Sequence, residues 1–428
     1  MPGGGTRGNG GGMSSKRSLP AGKRRFDLHS EDPASSELAR DINRDIILEL
    51  LRRRQPIARV DLARLSGLQR STVSLIVEQL LRERWIVEGA TVRTARGRRP
   101  TMLSLNADLV MLVADIRPSH AVCAVVDLNG HFLARQSVPV ASDPEIGVQR
   151  IAETLERMRD EFARKSFEGV GISVPGRVHP ETQRLLWAPN LRWHDFDIHA
   201  VLEERLGLQV EMDNAANACM LSELWFGRMD KFRNAVLVTI SEGVGAAVLA
   251  NGQLLMGKDG MAGEFGHILV DPNGPQCNCG ERGCWEMFAS TRAVLRHYND
   301  RAPEQPALTF THLISLADQG DTNALEALEE QARWVARGLR MITAALSPET
   351  ILFAGDISAC WERSGPMVER ALSQRMLVGT PPTLLAIGDG EMARLRGAAA
   401  LVLQRHSDYH RSTATAQRAP EREAVAQA

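Results

Sequence analysis

The stretch from Gly263 to Glu286, GEFGHILVDPNGPQCNCGERGCWE, limits what this chain can fold into more than any other, because it gathers His267, Cys277, Cys279 and Cys284 into eighteen residues. Four soft or borderline donors at such short spacing can converge on one ion, and Zn²⁺ takes four ligands of this kind in a tetrahedron. Gly280 and Gly283 lie among the cysteines, where the backbone needs left-handed conformations to wrap thiolates around a metal. The plainer reading, a set of buried core thiols, fits poorly with neighbours that are Gly, Asn and Glu. A disulfide fits no better. Cys277 and Cys279 stand one residue apart, three thiols leave one over, and no signal peptide or run of about twenty apolar residues exports the chain. With four protein ligands the ion has no open position, so the zinc is expected to be structural.

A second signature lies upstream. Ile42, Ile46, Ile47, Leu50 and Leu51 recur at helical spacing between Ala39 and Arg54, and Pro56 ends the run. A short helix over Val60–Ser66, a turn at Gly67 and a third helix over Arg70–Arg84 complete a helix-turn-helix plan, with Val73, Ile76, Val77, Leu80 and Leu81 inward. An ordinary three-helix packing unit would bury the same side chains, so the outward ones decide. Gln69, Arg70, Ser71, Thr72 and Ser74 are short or hydrogen-bonding and cluster at the start of the third helix, suited to a major groove. Beyond it, Trp85–Val87 and Val92–Thr94 are expected to pair as a small hairpin, the wing of a winged helix. Ala95 to Pro100 follows, and there Arg96, Arg98 and Arg99 flank a flexible glycine suited to phosphates or a narrow minor groove.

Charge supports this division. Between Asp41 and Asn106 thirteen arginines face seven acids, although the 428 residues together carry a formal net charge of −1. The imbalance points to an anionic partner, double-stranded DNA. Two tyrosines and eleven phenylalanines leave little material for an aromatic platform that would take single strands. Residues 1–37, rich in Gly, Ser, Lys and Arg and including the basic run Lys23, Arg24 and Arg25, read as a disordered basic arm, and residues 407–428 as a disordered polar tail.

The order Gly-Glu-x-Gly-His, then Cys-x-Cys-Gly-x-x-Gly-Cys-x-Glu, is carried by Gly263, Glu264, Gly266, His267, Cys277, Cys279, Gly280, Gly283, Cys284 and Glu286. It resembles the signature of the ROK family, which groups bacterial sugar kinases with transcriptional repressors on the same fold, and the likeness runs from about Asn43 to Gln404. Gly97, Arg98 and Pro100 are similar to a motif that joins the DNA-binding domain of ROK repressors to the rest. Gln69 stands where a capping Ser is common in the family, which weakens the helix start slightly. The resemblance implies a sugar pocket built from Gly176, Asn190 in a Pro-Asn-Leu-x-Trp loop, Asn214, Glu264, His267 and Glu286. It also implies that His267 uses one ring nitrogen for zinc and turns the other to the sugar.

Against the kinase branch the chain departs at three places. Where the kinases carry Asn-Asp-Ala-Asn, with the Asp as general base, Asn214 to Asn217 puts Ala215 at the base position, and Asp213, on an extended strand, is expected to project elsewhere. The first phosphate turn, Asp-Ile-Gly-Gly-Thr in the kinases, is Asp115 to Ser119, with Arg117 and Pro118 in place of glycines. The second is Ser241 to Gly245, where Glu242 sets a carboxylate near the phosphate position.

Strands are expected at Leu109–Val126 around a turn, Gly169–Val174, Gln209–Met212, Val236–Ala250 around a turn and Glu349–Phe353. Helices are expected at Pro144–Lys165, Phe196–Leu206, Ser290–Tyr298, Thr311–Gln319, Thr322–Ala345 and Arg394–Gln404. With the resemblance these imply an α/β chain: a winged helix-turn-helix over 38–106, then over 107–406 a two-lobed actin-like (ribonuclease-H-like) ATPase or sugar-kinase fold that binds sugar and oligomerises. The function expected is a DNA-binding repressor of carbohydrate genes, cytoplasmic and at the bacterial nucleoid, not an enzyme, acting as a homodimer or homotetramer with a sugar or sugar phosphate as effector. An active sugar kinase with an appended DNA-binding domain is the alternative. A repressor with a dead sugar pocket is a third, opposed by the retained polar groups, which would be costly to bury without purpose.

Overall fold

A computed structural model describes residues 36–91, 101–227, 232–307, 309–374 and 380–405. Helices α1 (Ser36–Arg54), α2 (Arg59–Ser66) and α3 (Arg70–Arg82) pack with strands β1 (Ile57–Ala58), β2 (Ile86–Thr91) and β3 (Thr101–Leu105), the strands ordered β1-β3-β2. Gly67, at φ 71°, turns the chain between α2 and α3, and its amide donates to the Ala63 carbonyl at 3.1 Å. The wing differs from the expected hairpin. The strand from Ile86 pairs not with Val92–Thr94 but with Thr101–Leu105, in the register Ile86↔Leu105 and Glu88↔Leu103. Leu103 and Leu105 alternate inward and are buried, and this two-residue period is the physical reason the return strand lies after the arginines. The expected partner Val92–Thr94 and the arginines Arg96, Arg98 and Arg99 lie outside the described residues, as do the arm as far as residue 35 and the tail from 406. Helix α1 begins within the segment expected to be disordered.

The rest is one design used twice. In the first lobe β4 (Leu109–Ile116), β5 (His120–Asp127) and β6 (Phe132–Pro139) form an antiparallel meander, followed by α4 (Pro144–Glu161) and β7 (Ser166–Val174). A small sheet of β8 (Arg177–Val178), β9 (Leu185–Ala188) and β10 (Trp193–Phe196) precedes α5 (Ile198–Leu206), β11 (Val210–Asn214) and α6 (Ala215–Trp225). The second lobe opens on another meander, β12 (Ala235–Ile240), β13 (Val244–Ala250) and β14 (Gln253–Leu254). Helices α7 (Glu286–Ala289), α8 (Thr291–Arg301), α9 (Phe310–Asp318) and α10 (Thr322–Leu346) follow, then β15 (Thr350–Ala354), α11 (Asp356–Ala359), α12 (Trp361–Ser373), β16 (Thr383–Ala386) and α13 (Gly390–Gln404). The sheet orders are β11-β7-β4-β5-β6 and β14-β13-β12-β15-β16, so in each lobe two parallel strands extend the sheet beyond the first strand of the meander.

Two expected helices are shorter. Helix α4 stops at Glu161 instead of Lys165, and α5 starts at Ile198 because Phe196 ends β10 and the Asp197 carboxylate caps the helix, accepting from the Ala200 amide at 2.9 Å. Strand β4 is buried along its whole length, which explains its unbroken apolar run. Val110, Leu112 and Ala114 face α4 and α5, whereas Leu109, Met111 and Val113 share a core with Ile47, Leu51, Val77 and Leu80 of the winged helix and with Leu395 and Val402 of α13. Each fully buried aliphatic side chain stabilises by about 1.5–3 kcal/mol, so the winged-helix unit is fastened to the first lobe by ordinary core packing. Helix α13 lies so close to β7 that a Cβ on Gly171 would sit 1.8 Å from the Ala398 carbonyl oxygen.

Candidate metal centre and ligand cleft

The donor atoms of His267, Cys277, Cys279 and Cys284 all lie within 4.8 Å of one another. Cys277 Sγ is 3.6 Å from His267 Nδ1, and Cys279 Sγ is 3.5 Å from Cys284 Sγ, too long for a disulfide. Bonds of about 2.0–2.3 Å to a tetrahedral ion place ligand atoms roughly 3.3–3.8 Å apart, so these side chains fit a metal of zinc's size. The backbone explains the convergence. A 3-10 turn, Glu264–His267, presents the imidazole, and Leu269 bridges to Cys284 across the loop. Gly283 has φ +73°, and a Cβ there would meet the Asp271 carbonyl oxygen at 1.5 Å. Burial, opposed by no cation, pushes the Cys277 thiol up, and it pushes Cys284 to about 11, so a metal would have to displace protons to bind.

Behind the metal cluster, between the lobes, lies a cleft of about 450 Å³. Its wall includes all six residues named for sugar: Gly176, Asn190, Asn214, Glu264, His267 and Glu286. The His267 ring is held between acids, with Nε2 3.8 Å from Glu264 and Nδ1 3.9 Å from Glu286. Nδ1 thus faces the cysteines and Nε2 faces Glu264. Glu286 is buried and accepts from the Cys277 thiol at 3.0 Å. Burial raises the Glu264 pKa above the usual carboxylate range, with His267 and Arg177 pulling the other way. Asn190 Oδ1 accepts from Asn278 at 3.0 Å, and Asn214 caps α6 by accepting from the Asn217 amide at 2.8 Å.

The opposite end of the cleft carries the altered turns. Ala215 lines it with a methyl group only. Asp213 is buried away from it, both carboxylate oxygens accepting from Asn217 Nδ2 at 3.0 and 3.1 Å, and burial pushes its pKa up to about 6. Arg117 pairs with the fully buried Asp115 at 2.7 Å, and Ser241 Oγ accepts from the Asp356 amide at 3.1 Å and from Arg394 at 3.2 Å. The groups available here therefore engage one another, and Glu242 and Asp356 line the same space.

On the winged-helix unit, Gln69, Arg70 and Ser71 are exposed while Thr72 and Ser74 are half-buried on the same end of α3. Gln69 precedes the helix with no side-chain cap, as its replacement of Ser predicts. Periodicity missed Leu75, which is 68 % exposed on α3; its apolar character alone gives no sign that it faces outward. Arg177, Met261 and Arg394 were also missed as cleft residues, because lone residues beyond a strand or at a helix start carry no spacing signal.

The model of the ROK family matches residues 114–405. The chain belongs to the ROK family. This ROK protein is 30% identical over 387 residues to the xylose repressor of Bacillus subtilis, spanning 88% of this chain and 99% of that one. The structure of a ROK family transcriptional regulator, homologous to the Escherichia coli MLC protein, superposes with a TM-score of 0.75 at 24% identity, covering 87% of this chain and 98% of the other, and shows the shared fold. A ROK glucokinase from Streptomyces griseus, in complex with glucose and AMPPNP, superposes with a TM-score of 0.63 at 29% identity, and covers 69% of this chain and 99% of its own. The regulators thus share more of this ROK chain than the kinase does. Among the described residues no helix is long and apolar enough to cross a membrane.

Proposed function

We propose that this chain is a transcriptional repressor of carbohydrate genes, cytoplasmic and DNA-bound, whose cleft takes a sugar or sugar derivative as effector. The observation that carries the reading is Ala215. A sugar hydroxyl in this cleft meets a methyl group where phosphoryl transfer needs a proton acceptor, and Asp213 is engaged by Asn217 beneath α6. The pairing of Arg117 with Asp115 inside the first turn and of Arg394 with Ser241 of the second supports the same conclusion, since phosphate groups would have to displace both. Similarity to the xylose repressor over nearly its full length supports the regulatory branch.

In this reading the metal is a structural zinc. Bound to His267, Cys277, Cys279 and Cys284, it fixes the imidazole through Nδ1, and Nε2 is left with Glu264 and Glu286 to hold sugar hydroxyls. In the same reading Gln69, Arg70, Ser71, Thr72 and Ser74 read bases, the exposed Leu75 touches a thymine methyl, and Arg96, Arg98 and Arg99 hold phosphates or the minor groove. A homodimer presents two such units to a palindromic operator, with half-sites about 34–36 Å apart.

The test is a titration of operator affinity, on a duplex selected by the protein from a random pool, with and without sugars found by thermal shift. A sugar effector lowers the affinity by about five- to 150-fold, the range of usual couplings of about 1–3 kcal/mol, and Glu264→Ala removes the response. Sugar-dependent ADP formation by the unaltered protein would return it to the kinase branch.

A further inference from the structure

Three arginines line the cleft: Arg117, Arg177 and Arg394. Arg117 pairs with Asp115, and Arg394, whose Nε is buried without a hydrogen bond among the described residues, donates to Ser241 through Nη2 and stands near Asp115, Asp356 and Glu242. Arg177 has no such oxygen partner among the described residues. It follows Gly176 in the small sheet, paired with Trp187 across β8 and β9, and lies at the sugar end with Glu264 and His267. Among the described residues its buried Nε has no hydrogen-bond partner, and its Nη1 meets the sulfur of Met261, a weak acceptor on a side chain 49 % exposed. Among the described residues no carboxylate forms an ion pair with it.

A guanidinium is always charged and offers only donors, in a planar fork that matches a carboxylate or phosphate. Leaving such a group beside a cavity with a buried, unsatisfied N–H is costly unless a ligand supplies the acceptor. Glu264 and Glu286 supply the opposite chemistry: carboxylates accept from hydroxyl groups. Beside His267 the wall therefore offers acceptors at Glu264 and Glu286 and, near Glu264, a strong donor at Arg177.

We propose that the effector is an anionic sugar, its hydroxyls held by Glu264, His267 and Glu286 and its carboxylate or phosphate held by Arg177. This rests on the repressor reading and names the ligand class within it. The source of the negative charge, a sugar acid or a sugar phosphate, is decided by experiment.

Full-length protein is titrated calorimetrically with glucose, xylose and N-acetylglucosamine, with their aldonic and uronic acids, and with their phosphates. The result expected is that one anionic series binds at least about tenfold more tightly than its neutral parent. Arg177→Gln then weakens that anion by about 10- to 100-fold, leaves the neutral parent within about threefold, and Arg177→Lys restores part of the loss. Whether the acids or the phosphates respond identifies the source. Melting temperature and zinc content of Arg177→Gln, matched to the unaltered protein, exclude a folding defect. Should neutral sugars bind and shift operator affinity while no acid or phosphate does, or should Arg177→Gln weaken neutral and anionic ligands equally, the anion assignment is overturned and the repressor reading survives. Binding of no sugar in any series overturns both.

Discussion

Gly280 and Gly283 stand two residues apart in the metal loop, both with positive φ, +98° and +73°, yet their surroundings differ. A Cβ on Gly280 meets nothing within 4 Å, while one on Gly283 would lie 1.5 Å from the Asp271 carbonyl oxygen and 2.6 Å from its carbon. Alanine at either site bears the left-handed penalty of about 1–2 kcal/mol. At Gly283 a backbone contact must also open, and overpacking of this kind adds about 1–3 kcal/mol. The strain is expressed when the loop closes on its ion. Gly280→Ala is therefore expected to weaken zinc by about 5- to 30-fold, and Gly283→Ala by between about 30-fold and a few thousandfold. The assay is competition against a chromophoric chelator at fixed pH, with zinc per chain measured alongside and circular dichroism as the check on the fold. Equal losses from the two substitutions, or a larger one from Gly280→Ala, would refute the loop geometry, because only crowding at Asp271 separates them.

Asp213→Asn tests the buried carboxyl. Its folded pKa of about 6 lies above the ordinary 3.8, so the folded protein is stabilised most at low pH and loses stability as pH rises from about 4 to 6. Asn has no charge to bury and can pair with the unsatisfied Asn217 Oδ1, so thermal melts are expected to show a gain of about 2–3 kcal/mol at pH 8 and little gain at pH 4. In coupled ADP assays Ala215→Asp is expected to remain without sugar kinase activity, since the first phosphate turn is paired within itself and Ser241 of the second is engaged by Arg394 and the Asp356 amide. On DNA, Arg70→Ala is expected to change base preference, whereas Arg98→Ala with Arg99→Ala weakens all sequences alike and lowers the log–log salt slope by about 1–2, measured by binding at several salt concentrations.

Much of this was legible in the sequence for identifiable reasons. The four clustered donors, His267, Cys277, Cys279 and Cys284, share one short loop, so their convergence needs no knowledge of the fold, and the six cleft residues followed from motif matches. The helix-turn-helix was legible because Gly67 and the apolar spacing of α3 act locally. The wing's pairing was misread because register is set by which side chains reach the core, and only the packed structure shows Leu103 and Leu105 doing so. Arg177 was illegible for a related reason: its significance is the lack of an oxygen acceptor among the described residues, and that is a property of three dimensions. The duplicated sheet order was likewise hidden, because the two halves repeat a topology without repeating residues.

Helices α6 and α13 each have one end at the cleft and the other under the winged-helix unit. Asn214 and Ala215 open α6 at the cleft wall, and at its far end Arg52 of α1 lies 5.9 Å from the rings of both Trp225 and Phe226. Arg394 of α13 faces the cleft, and Leu403 packs into the core shared with the winged helix. At about 1.5 Å per residue these are rods of roughly 16 and 22 Å. Over such lengths a tilt of about five degrees at the cleft end becomes a displacement of about 1.4–1.9 Å at the other. The winged-helix unit is thus mounted on two rods that begin at the cleft instead of hung from a tether.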